Sequence, residues 1–354
     1  MQRAASPGVS LLRAGQGTAV GLLRFVVLFG PAFVVFAVVL LVAGKNPMKA
    51  YADIFSATLA SGYGFSEVLV KMIPLLLTAL AVAIPSRIWL INVGGEGQLY
   101  IGALFATWGA LTLADLPRWA LLPILGALGF VGGGLWAALS GVLRARGWVS
   151  ETISTLLFNY VAILLVNFFV FGPLKDPESA NYPQSAQFVP AATLPTFFGT
   201  RVHFGLVLAV LALVIYALVL SRTRWGLEMR AIGGNVEAAR RSGIPIGWYI
   251  VVVMLVGGGM AGLAGMTEVS AIQGRLRPSL SPGYGFTGFL ISWMAGGRPL
   301  GMVAAAVLLA IITAGGDILQ MTQRLPGSVV SILMALVLFA VLARRDRARG
   351  ERAG

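Results

Sequence analysis

The chain contains no cysteine and a single histidine, His203, among its 354 residues. Without cysteine there can be no disulfides or thiolate metal sites, and one histidine is too few for a His-based metal cluster or proton relay. Charged residues are also scarce, at 11% of the chain against 58% hydrophobic residues. We therefore expect no metal and no redox cofactor in this chain, and no ordinary soluble domain.

Long apolar runs recur along the whole sequence, whose mean hydropathy is +0.87. About 20 apolar residues suffice to cross a hydrocarbon core ~30 Å thick. The pattern predicts an all-α, polytopic membrane protein with about ten transmembrane helices, within a range of about eight to eleven. The predicted helices cover residues 21–44, 67–85, 88–113, 119–142, 149–172, 204–221, 249–272, 284–297, 299–317 and 326–343. The transmembrane domain is thus 21–343, between an N-terminal segment, 1–20, and a basic tail, 344–354.

The net charge of +13 is distributed as membrane topology requires. If both termini are cytoplasmic, 17 of the 26 Lys and Arg residues fall on the inner side, in agreement with the positive-inside rule. This arrangement places the loop 222–248 in the cytoplasm and the proline-containing loop 173–203 outside the cell. It also explains the positive charge without nucleic acid as a partner.

The stretch INVGGEGQLYIGA at 91–103 interrupts an apolar run with polar residues and three closely spaced glycines. Glycine weakens a helix, and irregular backbone at membrane depth is tolerated where protein or a water-filled cavity covers it. The stretch therefore predicts a broken helix near 92–98 beside a solute path. Its candidate residues are Asn92, Gly94, Gly95, Glu96 and Gln98. Two interpretations of Glu96 remain open: it contacts solute, or it caps the second half-helix by accepting backbone N–H bonds.

Other polar and aromatic residues fall within predicted helices and are further candidates for the path. Glu268 lies late in the seventh helix, where an ionisable residue usually faces the bundle interior or a water-filled path. Asn159 either faces the path or hydrogen-bonds to a neighbouring helix. Phe286 and Trp293 either stack on a planar ring or face lipid.

The cytoplasmic loop contains the signals of a very short helix in RAIGGNVEAARRSGIP, residues 230–245. Asn235 is a good N-cap, Glu237 suits the first turn, Arg240 suits the last turn and Gly243 suits the left-handed position after the helix. So short a helix is marginal in isolation and must pack against something. It is either an ordinary interfacial helix or a docking surface, in which case Ala238 and Ala239 are small because a partner approaches them.

Three stretches, NVGGEGQLYIGA, ETISTLLFNY and RAIGGNVEAARRSGI, occur in an order that resembles the permease subunits of bacterial ABC importers. The resemblance is to the branched-chain amino acid, ribose and nucleoside superfamily, and within it to the nucleoside (guanosine-type) branch. It implies an inner-membrane subunit paired with a second permease in a heterodimer, cytoplasmic ATPase subunits and an extracytoplasmic solute-binding lipoprotein. The loop with Asn235 would then carry the helix that couples to the ATPase. No G-x-x-x-x-G-K-[ST] loop occurs, so ATP and Mg²⁺ would bind the ATPase chain.

The sequence departs from that family at two places. Thr287 stands where relatives often have an acid, and Ser86-Arg87-Ile88-Trp89 replaces a Phe-Arg-Ala-Gly-like approach to the glycines. An alternative function is a secondary transporter or channel that uses its intramembrane acids for ion coupling. A membrane enzyme is the least favoured function, because the sequence shows no clustered nucleophile and base.

Overall fold

The computed structural model describes residues 30–339, except 180, 181, 198, 330 and 338. Within that part of the chain the structure is helical and contains no strand, which confirms the all-α prediction. The predicted N-terminal segment 1–20 and the basic tail 344–354 lie outside the described residues. The helices, numbered in chain order, are α1 Gly30–Val42, α2 Pro47–Thr58, α3 Gly62–Ser86, α4 Gly95–Thr112, α5 Arg118–Ala145, α6 Glu151–Phe171, α7 Gly205–Arg222, α8 Arg224–Gly234, α9 Val236–Arg241, α10 Ile246–Thr267, α11 Tyr284–Ala295, α12 Pro299–Gln323 and α13 Gly327–Val337.

Six of these helices are long and apolar enough to cross a membrane: α3, α5, α6, α7, α10 and α12. The α1–α2 pair would add a seventh span, although the two helices meet at an angle of 116°. Three more of the ten predicted helices, α4, α11 and α13, are shorter or less apolar than these six spans. The helix count is therefore roughly consistent with the prediction, and the chain is a multi-pass membrane protein.

The described chain divides into two compact units. The smaller consists of the residues up to Ala57 and those from Gly315 onward. Within it, the Tyr51 hydroxyl donates a hydrogen bond to the Phe33 carbonyl at 2.6 Å, and the Gln323 side-chain amide donates to Asp53 at 2.9 Å. The larger unit, Thr58–Ala314, contains α3 to α11 and all the predicted site residues.

The core of the larger unit consists of α3, α4, α5 and α10. Leu75, Leu76 and Leu77 of α3 are fully buried, and α10 packs on α5 with its glycines in contact. A Cβ added to Gly262 would lie 2.0 Å from the Gly129 carbonyl oxygen. Such a backbone approach leaves no room for any side chain, and small residues make it possible in lipid.

The predicted helix 88–113 is wrong in its first part. α3 ends at Ser86, residues 90–93 are not helical, and α4 begins only at Gly95. The backbone N–H groups of Ile91 and Val93 donate to side chains of α6, at 3.2 Å to Glu151 and 3.2 Å to Thr155, so they are not available for helical hydrogen bonds. The break therefore separates two helices, and we call residues 87–94 the α3–α4 junction.

The loop 173–203 is held against the segment that follows α10. The amides of Ser185, Phe188 and Leu194 each donate to carbonyls within residues 270–276 at 2.9 Å. His203 ends this loop, and its Nδ1 accepts a hydrogen bond from the Gly205 amide at 3.2 Å. Burial, with a smaller contribution from Arg201, lowers the pKa of His203 to about 4. The imidazole is therefore neutral at physiological pH, as its acceptor role requires.

Candidate functional site

The side-chain amides of Asn92 and Gln98 bind each other at the centre of the α3–α4 junction. Asn92 Nδ2 donates to Gln98 Oε1 at 3.0 Å, and Gln98 Nε2 donates to Asn92 Oδ1 at 2.8 Å. Asn92 also donates to the Ala81 carbonyl at 3.0 Å and accepts from the Gly94 amide at 3.0 Å. Both side chains are buried, and their polar atoms are occupied by this chain rather than open to a solute.

One face of α6 holds the other side of the junction. Asn159 accepts a hydrogen bond from the Gly97 amide at 2.7 Å and donates to the Val93 carbonyl at 2.9 Å. Thr155 and Glu151, one and two turns earlier on the same face, accept from Val93 and Ile91. Glu151 also forms an ion pair with Arg144 at 2.9 Å. Asn159 thus makes interhelical hydrogen bonds to backbone that no helix satisfies.

Glu96 binds the start of a different helix. Its Oε2 accepts a hydrogen bond from the Gly285 amide at 2.7 Å, and its side chain is buried. Gly285 is the second residue of α11, whose first N–H groups have no partner within the helix. The sequence did not predict this role: Glu96 caps α11 rather than its own helix.

The approach of α4 to α11 at this point depends on two glycines. A Cβ added to Gly285 would lie 2.1 Å from the Glu96 amide nitrogen. A Cβ added to Gly95 would lie 3.4 Å from Gly285 Cα, which is ordinary van der Waals contact. Glycine is therefore required at Gly285, whereas a methyl group fits at Gly95.

The junction also contacts the far end of α11. The Arg87 guanidinium donates to the Gly297 carbonyl and, at 2.9 Å, to the Tyr216 hydroxyl of α7. An acidic residue at the N-terminus of a helix and a basic residue at its C-terminus both complement the helix dipole. Arg87, the first residue of the junction, and Glu96, just after it, therefore stabilise opposite ends of α11. Sequence reasoning missed Arg87 as a site residue, although a lone cation in the apolar stretch 73–93 was a signal.

The remaining candidates lie on other parts of the larger unit. Phe286 and Trp293 are 43% and 41% exposed and lie on one side of α11, where the Trp293 and Phe289 rings approach to 5.5 Å. Glu268 begins a six-residue π-helix, Glu268–Gln273, that continues α10, and it is buried near Lys71. The structure thus groups Asn92, Gly94, Gly95, Glu96, Gln98 and Asn159, places Phe286 next to them and leaves Glu268 and Trp293 apart.

The short helix expected in the loop 222–248 is α9. Asn235 Oδ1 accepts from the Ala238 amide at 3.0 Å, Glu237 binds Arg240 at 3.2 Å, and Gly243 adopts φ +82°. A second helix, α8, precedes α9 and was not predicted. Its N-cap is Thr223, whose hydroxyl accepts from the Gly226 amide at 3.2 Å.

The two alanines of α9 differ, which corrects the expectation that both are open to a partner. Ala239 is 3% exposed and is covered by this chain, whereas Ala238 is exposed. Successive residues of a helix point about 100° apart, so one of the pair faces inward. The exposed surface of α9 consists of Val236, Glu237, Ala238, Arg240 and Arg241.

Comparison with known proteins decides which family this is. The profile of the family described as "Branched-chain amino acid transport system / permease component" matches residues 64–342. The chain belongs to this family. The match begins in α3 and includes the junction, α6, α9 and α11, so all the candidate residues lie within the permease region.

Relatives of this permease cover most of its length. A glucose ABC transporter permease protein from Haloferax volcanii is 37% identical over 88% of this chain and 84% of its own. A guanosine ABC transporter permease protein from Bacillus subtilis is 30% identical over 86% and 88%, and a nucleoside ABC transporter permease protein from Lactococcus lactis subsp. cremoris is 29% identical over 90% and 89%. The first of these is a sugar permease and is more similar in sequence than the other two.

Proposed function

We propose that this permease is the membrane-spanning subunit of an ABC importer that forms the path for a nucleoside or a related small polar solute, such as a sugar. The observation that carries the proposal is the family match over 64–342, together with relatives named as ABC transporter permeases for glucose, guanosine and nucleosides. The proposed partners are a second, different permease subunit, cytoplasmic ATPase subunits that bind ATP and Mg²⁺, and an extracytoplasmic lipoprotein. The proposed location is the inner membrane with both termini cytoplasmic.

The exposed side of α11 is the proposed wall of the path. Phe286 and Trp293 offer aromatic surface, and both a nucleobase and the face of a sugar ring stack on aromatic side chains. Asn92, Gln98, Asn159 and Glu96 stand behind this wall, where their hydrogen bonds go to the protein. We propose that they position α11 rather than bind the solute.

The exposed surface of α9 is the proposed contact with the ATPase. We expect Ala238→Trp to reduce solute-stimulated ATP hydrolysis by about tenfold or more, because a bulky residue in the centre of a small docking surface prevents close approach. The measurement is the ATPase rate of the reconstituted complex with and without loaded binding protein. Ala238→Ser, which adds one atom, is the matched control and should behave as the parent does.

Replacing Ala239 is a different experiment. Ala239→Trp should destabilise α9 itself, because the side chain of Ala239 is covered by this chain, and should lower expression of the complex.

For Ala238→Trp, stimulation of ATP hydrolysis equal to that of the parent would show that α9 is not the docking surface.

The sidedness of the two long loops can be tested directly in this cysteine-free chain. We expect a membrane-impermeant maleimide to label Glu178→Cys from outside intact cells and Arg240→Cys only after permeabilisation. The contacts at the two ends of α5 support this. Arg118, at its start, binds Pro190 in the loop 173–203, whereas Arg144, at its end, joins Glu151 beside the junction, which also contacts Gly233 in the loop 222–248. Labelling of position 240 but not of position 178 in intact cells would show that the two loops lie on the opposite sides from those predicted.

A further inference from the structure

The α3–α4 junction contacts the last turn of α8, directly before α9. The Trp89 indole N–H donates to the Gly233 carbonyl. The two backbones also meet here, because a Cβ added to Gly233 would lie 2.4 Å from the Arg87 carbonyl oxygen. Trp89 adopts φ +63°, a conformation that a bulky residue rarely takes, and the residue is 73% exposed. This conformation closes the end of α3, where the Leu90 amide donates to the Pro85 carbonyl and the Trp89 amide to the Ser86 carbonyl, each at 3.2 Å. The side chain that leaves the chain at this turn is the one that binds Gly233.

The other contacts of the junction lead to α11. Arg87, two residues before Trp89, binds the Gly297 carbonyl behind the C-terminus of α11. Glu96, after the junction, binds Gly285 at the N-terminus of α11. Residues 87–96 thus contact α8 at one point and both ends of α11 at two others. Each of the three hydrogen bonds joins a side chain of residues 87–96 to a backbone group of α8 or at an end of α11.

We propose that Trp89 and Gly233 link the α8–α9 loop to α11 through the α3–α4 junction, so that the loop and the aromatic side of α11 move as one body. This inference rests on the proposed function, in which α9 contacts an ATPase and α11 lines the solute path. Trp89 is a positioning residue in this arrangement, since it acts through the junction and through Arg87 and Glu96 on α11.

Two adjacent glycines at the end of α8 provide the test. Gly233→Ala forces the junction away from α8, whereas Gly234→Ala adds the same methyl group where no atom lies within 4 Å. Both substitutions raise helix propensity equally. Spin labels at Ala238→Cys on α9 and Met294→Cys on α11, in the chain in lipid nanodiscs, report the distance between the two elements. We expect one distance population in the parent and in Gly234→Ala, and a broadened or second population in Gly233→Ala.

Two substitutions at Trp89 separate the hydrogen bond from the backbone conformation. Trp89→Phe keeps an aromatic ring at the same φ but cannot donate to Gly233, and Trp89→Gly relieves the conformation and removes the ring. Both should broaden the distance distribution as Gly233→Ala does. In the reconstituted complex, Gly233→Ala and both Trp89 variants should retain basal ATP hydrolysis. The stimulation of hydrolysis by loaded binding protein should fall about three- to tenfold, from one lost hydrogen bond in the Trp89 variants and from the separated backbones in Gly233→Ala.

The outcomes separate this inference from the proposed function. A parent-like distance distribution in Gly233→Ala and Trp89→Gly would overturn the link and leave the permease function untouched. A broadened distribution in Gly233→Ala, with Gly234→Ala unchanged, supports it without any partner protein. If the parent complex itself shows no stimulation by loaded binding protein, the proposed function fails, whatever the spin labels report.

Discussion

Replacing Gly285 with alanine should abolish most solute uptake, with a fall of at least about tenfold. The added methyl carbon would lie 2.1 Å from the backbone nitrogen of Glu96, so α4 and α11 must separate at the point where Glu96 caps α11. Overpacking of this kind typically costs about 1–3 kcal/mol, and 1.4 kcal/mol is a factor of ten. The measurement is uptake of radiolabelled guanosine and of glucose in cells with equal amounts of permease in the membrane.

The facing glycine provides the control for this prediction. Gly95→Ala places its methyl carbon 3.4 Å from Gly285, so uptake should stay within about twofold of the parent. Gly95→Leu adds three more carbons in the same direction and should block uptake as Gly285→Ala does. None of the three changes weakens the hydropathy signal for insertion. Normal uptake by Gly285→Ala, or a block by Gly95→Ala as deep as that of Gly285→Ala, would show that this contact does not position α11.

The spans that sequence predicted well are those with a strong physical signal. α3, α5, α6, α7, α10 and α12 are long and apolar, and their bounds agree with the expected runs within a few residues, with three exceptions. These are the start of α3, the end of α12 and the end of α10, where the π-helix Glu268–Gln273 continues the span. α2 and α8 were missed because a hydropathy pattern does not detect helices that are not apolar throughout. Their starts do carry capping signals, since Asn46 precedes Pro47 and accepts from the Met48 amide at 2.9 Å, and Thr223 caps α8.

At the glycine break, sequence located the feature but not its partners. The glycines and the polar residues predicted an interruption near 92–98. α4 does begin only at Gly95, later than the predicted helix 88–113. The partner of Glu96 is 189 positions away in the chain, and that of Asn159 is 62 positions away. Local patterns of period 3.6 say nothing about such pairs. The contact of Glu96 with α11 could therefore be found only from the fold.

The same limit explains the error at Ala239. Two adjacent alanines look equivalent in sequence, and a six-residue helix is too short for a periodic pattern that would show which side faces inward. The packing of α8, α9 and α10 on one another decides which of the two alanines is buried. Caps, by contrast, are local, so Asn235 and Gly243 could be placed from sequence.

Replacing Asn159 with leucine should cost both stability and transport. Leucine has a similar size, but it can neither accept from Gly97 nor donate to Val93, so two buried backbone groups lose their partners. Each unsatisfied group costs about 1–3 kcal/mol. We expect a lower midpoint of thermal unfolding in detergent and a fall in uptake of more than about tenfold, because α4 and its cap on α11 then lose their attachment to α6.

Asn167, two turns later on α6, is the matched control. Its Oδ1 is buried and has no hydrogen-bond partner among the described residues, so Asn167→Leu removes a polar atom that is already unsatisfied. That variant should unfold at the parent temperature or slightly above it and transport normally. Asn159→Asp should fall between the two, since a carboxylate still accepts from Gly97 but repels the Val93 carbonyl. If Asn159→Leu is as stable and active as Asn167→Leu, the hydrogen bonds of Asn159 do not hold the junction, and α11 must be positioned by its packing against α3 instead.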